Sequence, residues 1–166
     1  QGVLAESGII PGEVSLIIHG TTLATNALIE RKGVTTALDA GSSGARTFLA
    51  FRRYVLERAE TRLYALLNIS AMGMLSPKIG ELEDLRWADV DAAVETGRAN
   101  REYILGIKAR LGTAQAADND VDALKRSIEA AEALGTIVMI HVGSTRTPLE
   151  ELTSMLRPGD AVTHSF

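Results

Sequence analysis

Apolar, β-branched runs alternate with helical patterns along the whole chain, and this alternation constrains the fold more than any other feature. The runs are Val14–His19, Thr35–Ala40, Arg62–Ile69, Ile104–Leu111, Thr136–Val142 and Ala161–Ser165. Helical patterns fall between them, near Thr22–Arg31, Thr47–Ala59, Ala88–Tyr103, Asp122–Leu134 and Pro148–Leu156. Strand–helix repetition of this kind predicts right-handed βαβ units on a parallel sheet. Nearly continuous apolar strands fit a sheet covered on both faces.

Several helix ends are legible. Thr147-Pro148-Leu149-Glu150 reads as a capping box with proline in the first turn, followed by a stripe of Leu149, Leu152 and Leu156. Leu124, Ile128, Ala131 and Leu134 recur at helical spacing, and Gly135 stands where a left-handed helix stop is favoured. Thr113–Asp120 reads as a loop. Trp87 reads as a packing anchor, and Arg52, Arg53 and Arg58 as a wet helix face. Glu81, Glu83, Asp84, Asp89 and Asp91 read as a solvated acidic cluster at a helix entrance.

Composition narrows the class of function. The 166 residues carry 17 Lys+Arg against 21 Asp+Glu, a net charge of −4, with no basic stripe to attract nucleic acid or anionic lipid. With no cysteine, thiolate metal sites, thiol nucleophiles and disulfides are excluded. No apolar run approaches the roughly 18–20 residues of a bilayer span, and the opening residues do not read as a signal peptide. A cytoplasmic protein without membrane contact is expected. Gln1 and Phe166 both read as cut ends.

The three histidines are His19, His141 and His164. Period-2 alternation puts Ile137, Met139 and His141 on one strand face, and pairs Val162 with His164 on another. In Ile104–Leu111 the set Leu105, Ile107, Ala109 and Leu111 is wholly apolar and should pack under helices. Lys108, His141 and His164 are then left on the opposite face, near the C-terminal strand ends where parallel α/β folds bind ligands. Burial disfavours a charged lysine. One resolution is a solvated mouth with a carboxylate partner. Another is a neutral amine that captures carbon dioxide as a carbamate and, with two neutral imidazoles, ligates a divalent metal. The plainer alternative is three polar strand ends facing water.

These residues sit in a longer set of recognisable stretches: Gly33-Val34-Thr35-Thr36, Asp39-Ala40-Gly41-Ser42-Ser43-Gly44-Ala45, Phe51-Arg52-Arg53-Tyr54, Leu67-Asn68-Ile69-Ser70, Gly80-Glu81-Leu82-Glu83-Asp84-Leu85, Gly106-Ile107-Lys108-Ala109-Arg110-Leu111, Met139-Ile140-His141-Val142-Gly143 and Arg157 to Phe166. From about Gly33 onward the chain resembles the amidohydrolase superfamily, in its amidohydrolase/deacetylase and dihydroorotase-like branch. The resemblance implies a (β/α)₈ TIM-type barrel, here a partial one of about strands 2 to 6, with a one- or two-metal centre, zinc being the expected ion. It implies metal ligation by Lys108 as a carbamate bridge and by His141 and His164. By position, Asn68 at the end of the third strand and Ser42 and Ser43 in the loop after the second strand are candidate substrate contacts, with a plain glycine-rich βα turn as the alternative for that loop. The implied chemistry is metal-activated water attacking an amide or ester of a small molecule. The family's strand-1 H-x-H pair and strand-8 aspartate have no counterpart in this sequence.

Upstream, His19-Gly20-Thr21-Thr22-Leu23-Ala24-Thr25-Asn26-Ala27 resembles the N-terminal region of the hydantoinase A/oxoprolinase family. Gly20, Thr21 and Thr22 open a helix and offer a phosphate or carboxylate cradle; a glycine turn with threonine capping is the alternative. The expected organisation is therefore a foreign strand–helix segment, 1–33, ahead of an incomplete barrel domain, 34–166. Two other functions compete: a silent α/β fragment whose open strand edges drive homo-oligomerisation, and an ATP-dependent hydantoin or oxoproline hydrolase.

Overall fold

The computed structural model describes residues 36–76, 78–141 and 143–164. The expected elements Val14–His19 and Thr22–Arg31, and with them Gly20, Thr21 and Thr22, lie outside the described residues.

Five strands form one parallel sheet in sequence order: β1 (Thr36–Asp39), β2 (Arg62–Asn68), β3 (Ile104–Arg110), β4 (Ile137–His141) and β5 (Ala161–Thr163). The helices between them are α1 (Phe48–Tyr54), α2 (Val90–Ala99), α3 (Thr113–Ala116), α4 (Asp120–Leu134) and α5 (Leu149–Ser154), with 3₁₀ turns at Leu56–Arg58 and Leu85–Trp87. Successive neighbours joined by helical crossovers make a curled half-barrel, as the strand–helix alternation predicts.

Each strand has two different faces. On the helix side, Ala65, Leu67, Ile107, Ala109, Val138 and Ile140 join Ala93, Leu124, Ala130 and Ala131 of the helices in one buried cluster. Leu66 and Met139 are also buried but stand apart from that cluster, on the concave face. Leu105 departs from its expected place under the helices: it is exposed, at the step where the pairing of β2 with β3 shifts register and passes it over.

Short side chains on α2 and α4 allow close packing. A Cβ on Gly97 of α2 would stand 2.5 Å from Leu134 Cδ1 of α4. α4 ends at Gly135, whose φ of +67° suits glycine, as its position in the sequence implies. α2 is capped by Asp89, whose side chain accepts from Ala92 N–H at 3.0 Å.

Other local expectations change. Thr147 does not cap α5: its N–H and hydroxyl both bond the buried Asp120 carboxylate at the start of α4, at 2.8 and 2.9 Å. A long-range acid partner outcompetes the helix's own N–H groups. The segment read as a loop contains α3. Trp87 is exposed and contributes its backbone carbonyl, which accepts from Ala71 N–H at 2.7 Å. Arg52 is not a wet surface residue: it bonds Glu57 and Asn100 and lies over the Tyr103 ring.

Candidate functional site

The candidate residues gather at the C-terminal strand ends, on the concave face. Strand register sets this: Asn68 pairs with Lys108, Lys108 with Met139, Arg110 with His141, and His141 with Thr163. Register partners in parallel strands project from the same face. Lys108 is buried, with 3% of its surface exposed. Its Nζ reaches past β4 and donates to Thr163 Oγ1 at 3.4 Å.

His164 arrives by an unexpected route. Strict alternation would put it with Val162, which packs against the helix-side cluster. β5 instead stops at Thr163, and His164 adopts a φ of +63°. That left-handed step, uncommon for a residue with a side chain, brings its ring edge-on to His141, with centroids 4.7 Å apart and an interplanar angle of 79°. The concave-face residue of β5 is Thr163, which the sequence reading missed. Alternation counted back from the paired His141 would have found it.

The loop after β1 closes one side of the site. Asp39 accepts from the N–H groups of Gly41 and Ser42, at 3.2 and 2.8 Å, and from the Ser42 hydroxyl. Gly41, with φ +91°, lies directly on the Lys108 stem: a Cβ there would stand 2.5 Å from Lys108 Cβ. Asn68 is fully buried. Its Nδ2 donates to the Gly41 carbonyl at 3.1 Å and its Oδ1 accepts from Ser70 N–H at 2.9 Å. Asn68 therefore anchors this loop, with both ends of its amide committed. Ser42 is exposed, and its hydroxyl is held by Asp39. Ser43 is buried, and its carbonyl accepts from Asn68 N–H at 2.9 Å.

Glu81 overturns its reading as a solvated acid. Its side chain is 2% exposed and faces Arg110, with Oε1 3.4 Å from Nη1. Backbone bonds seat its loop against the α3 region: Leu82 N–H donates to the Gln115 carbonyl at 2.8 Å, and Asn119 Nδ2 donates to the Leu82 and Glu83 carbonyls. Nothing in the acidic run around Glu81 distinguishes it; only the long-range fold of its loop does.

The electrostatics favour neutral donor groups. Burial, assisted by the Arg110 charge, lowers the Lys108 amine to about 8. Burial, then the charges of Lys108, His164 and Arg110, lowers His141 to about 4, so its imidazole is neutral at pH 7. Burial raises the Glu81 and Asp39 carboxyls above their ordinary values. A neutral His141 imidazole beside an amine of weakened basicity suits a divalent cation. Among the described residues, no group of three or more His, Cys, Asp or Glu side chains is arranged to hold a metal. No helix among them is long and apolar enough to cross a membrane.

Comparison with known proteins agrees with this architecture. The chain is 35% identical to a deacetylase of Brucella anthropi over 95% of its length and 41% of the relative's. It is 34% identical to a deacetylase of Agrobacterium fabrum over 95% of its length and 40% of the relative's. The chain thus spans about two fifths of the curated relatives it matches. Its fold is similar to a crystal structure of a dihydroorotase, with TM-score 0.78 and 36% identity, covering 81% of this chain and 36% of that one. A crystal structure of an adenine deaminase gives TM-score 0.77 and 31% identity, over 82% and 36% of the two chains. The hydantoinase/oxoprolinase N-terminal region matches residues 1–152, well beyond the segment before Gly33 that carries its resemblance. The chain therefore belongs to the hydantoinase/oxoprolinase N-terminal region family by that match, and its described residues form the half-barrel of the amidohydrolase superfamily to which its relatives and structural neighbours tie it.

Proposed function

We propose that this chain is part of a metal-dependent hydrolase of amide or ester bonds in small molecules. The observation that carries the reading is the convergence of Lys108, His141 and His164 at one rim of the concave face. The deacetylase relatives and the amidohydrolase neighbours support it.

In this reading His141 and His164 hold a divalent ion, zinc being the expected one, through neutral imidazole nitrogens. Lys108 binds as its carbamate: the amine nitrogen bonds to the carbon of carbon dioxide and releases a proton, giving an anionic oxygen donor. When bound, the ion supplies Lewis acidity that activates water and polarises a carbonyl. The residues themselves position and exclude. Gly41 and Asn68 press the lysine stem into one path, and Thr163 fixes the direction of its head group. The buried concave face around Leu66 and Met139 keeps bulk water from beneath the site. In the net reaction a water oxygen bonds to the carbonyl carbon, the C–N or C–O bond breaks, and the leaving group takes a proton.

Turnover of an N-acetyl amide and ester panel by the zinc-loaded chain tests the proposal. Hydrolysis that disappears in Lys108→Ala supports it; a zinc-loaded chain inert to the whole panel contradicts it. The outer position of β1 and β5 among the described strands favours self-association as part of the same reading, and a monodisperse monomer on size exclusion would contradict that part. The match over residues 1–152 favours a second reading, a nucleotide-dependent hydantoin or oxoproline hydrolase. A rise in melting temperature with ATP would favour it; no rise would count against it.

A further inference from the structure

The end of the sheet opposite Lys108 carries a cavity of about 530 Å³ that takes no part in the proposed hydrolysis. It lies among the first residues of β1 and β2, the 3₁₀ turn Leu56–Arg58, and Tyr103 just before β3. Volumes of roughly 300–1,000 Å³ hold small organic ligands. Arg62 opens β2 and Asn68 closes it, so at about 3.3 Å per residue the cavity is about 20 Å from the rim that holds Lys108. In barrels of this kind chemistry is done at the C-terminal strand ends. A ligand bound at the other end is therefore an effector, not a substrate.

The lining says what kind of ligand fits. Leu56 and Leu63, both buried, give an apolar floor. Tyr103 forms a wall that is fixed before any ligand arrives. Its N–H donates to the Asn100 carbonyl and its carbonyl accepts from Ala65 N–H, both at 2.9 Å. Arg52 lies over its ring, 4.9 Å from the centroid, and is itself held: Nε donates to Glu57 Oε1 at 2.7 Å and Nη1 to Asn100 Oδ1 at 2.9 Å. A ring fixed in this way offers apolar contact with little ordering cost. Of the polar lining, Glu60 and Thr61 are engaged in interactions of their own. Arg62 is exposed, and its guanidinium has no hydrogen-bond or ion-pair partner among the described residues. Thr36 on β1 is its register partner, so the two side chains project from the same face. A planar guanidinium fork matches an oxyanion in two parallel bonds.

We propose that this cavity is an effector site for a small aromatic oxyanion, gripped by Arg62 and Thr36 and packed against Tyr103. Because the cavity joins the first residues of β1 and β2 to the segment before β3, its occupancy stabilises the half-barrel. The site stands apart from the amide-hydrolase reading: neither zinc nor Lys108 is needed to fill it.

The test titrates the full, zinc-free chain calorimetrically with benzoate, phenyl phosphate and benzamide, which share a ring and differ in the group it carries. At least one anion should bind about tenfold or more tightly than the neutral amide, as a charge-assisted contact requires, and should raise the melting temperature. Tighter binding of benzoate identifies a carboxylate as the favoured group and tighter binding of phenyl phosphate a phosphate; either supports the site. Arg62→Gln should level anion and amide while leaving the melting temperature of the free chain unchanged, because Arg62 is exposed. Tyr103→Leu should weaken all three probes, with its melting temperature checked so that an unfolded variant is not scored. Lys108→Ala should bind them as the wild type does. Equal affinity for anions and amide, binding of none of the three, a preference that survives in Arg62→Gln, or affinities indifferent to a folded Tyr103→Leu would overturn the proposal. So would a preference lost in Lys108→Ala, which would put the anion at the opposite rim.

Discussion

Lys108 on β3 donates to Thr163 on β5 at 3.4 Å, past the intervening strand β4. This is the one hydrogen bond that directs the amine among the described residues, and it ties the candidate ligand to the strand next to His164. Groups that orient a metal ligand commonly change metal affinity by 10–100-fold when removed. Thr163→Val should therefore weaken zinc binding by about tenfold in a competition titration while leaving the melting temperature within a few degrees.

Gly41 lies directly on the Lys108 stem. At Gly41 an alanine would face both a φ of +91° and the lysine stem 2.5 Å from its Cβ. Gly41→Ala should cost about 1–3 kcal/mol in denaturant unfolding and displace Lys108, so zinc affinity falls with it. An alanine variant with wild-type stability would contradict the described loop.

Asn68 has no exposed surface and satisfies Gly41 C=O and Ser70 N–H together. Asn68→Ala strands both backbone groups in the interior, at about 1–3 kcal/mol for each buried group left unsatisfied. Chemical denaturation measures that loss. If Asn68 instead contacted substrate and nothing else, stability would be unchanged.

Asp160 governs acid stability at the other end of the strands. Burial alone would raise its carboxyl, but the Arg157 side chain and the N–H groups of Val138 and Arg157 hold it below the ordinary value. A depressed folded pKa means that this contribution is fully present above the unfolded carboxylate value of about 4 and is lost as pH falls through the folded value. Asp160→Asn should remove about 2 kcal/mol near pH 7 and less at lower pH, so the two melting curves converge below about pH 4. Parallel curves across that range would contradict the assignment.

Much of this architecture was legible in the residues, because period-2 apolar runs and helical stripes report burial directly. The concave placement of Lys108 and His141 follows from alternation alone, and Gly135 from its place after α4. What escaped was long-range. His164 reaches His141 only through a left-handed backbone step after β5, which no alternation rule encodes. Glu81 looks like its acidic neighbours until its loop folds against the α3 region. Thr147 carries a capping signature but is claimed by Asp120, 27 positions earlier in the chain. Asn68 stands at the end of β2 as its position implies, and the bond from its amide to the loop after β1 is one that the sequence does not announce.

The most direct measurement is zinc per chain by elemental analysis for the wild type, Lys108→Ala, His141→Ala and His164→Ala, all dialysed against the same buffered zinc. Convergence of the three side chains on one ion predicts substantial zinc in the wild type and a clear fall in each variant that retains its fold. Equal zinc in all four proteins would contradict it.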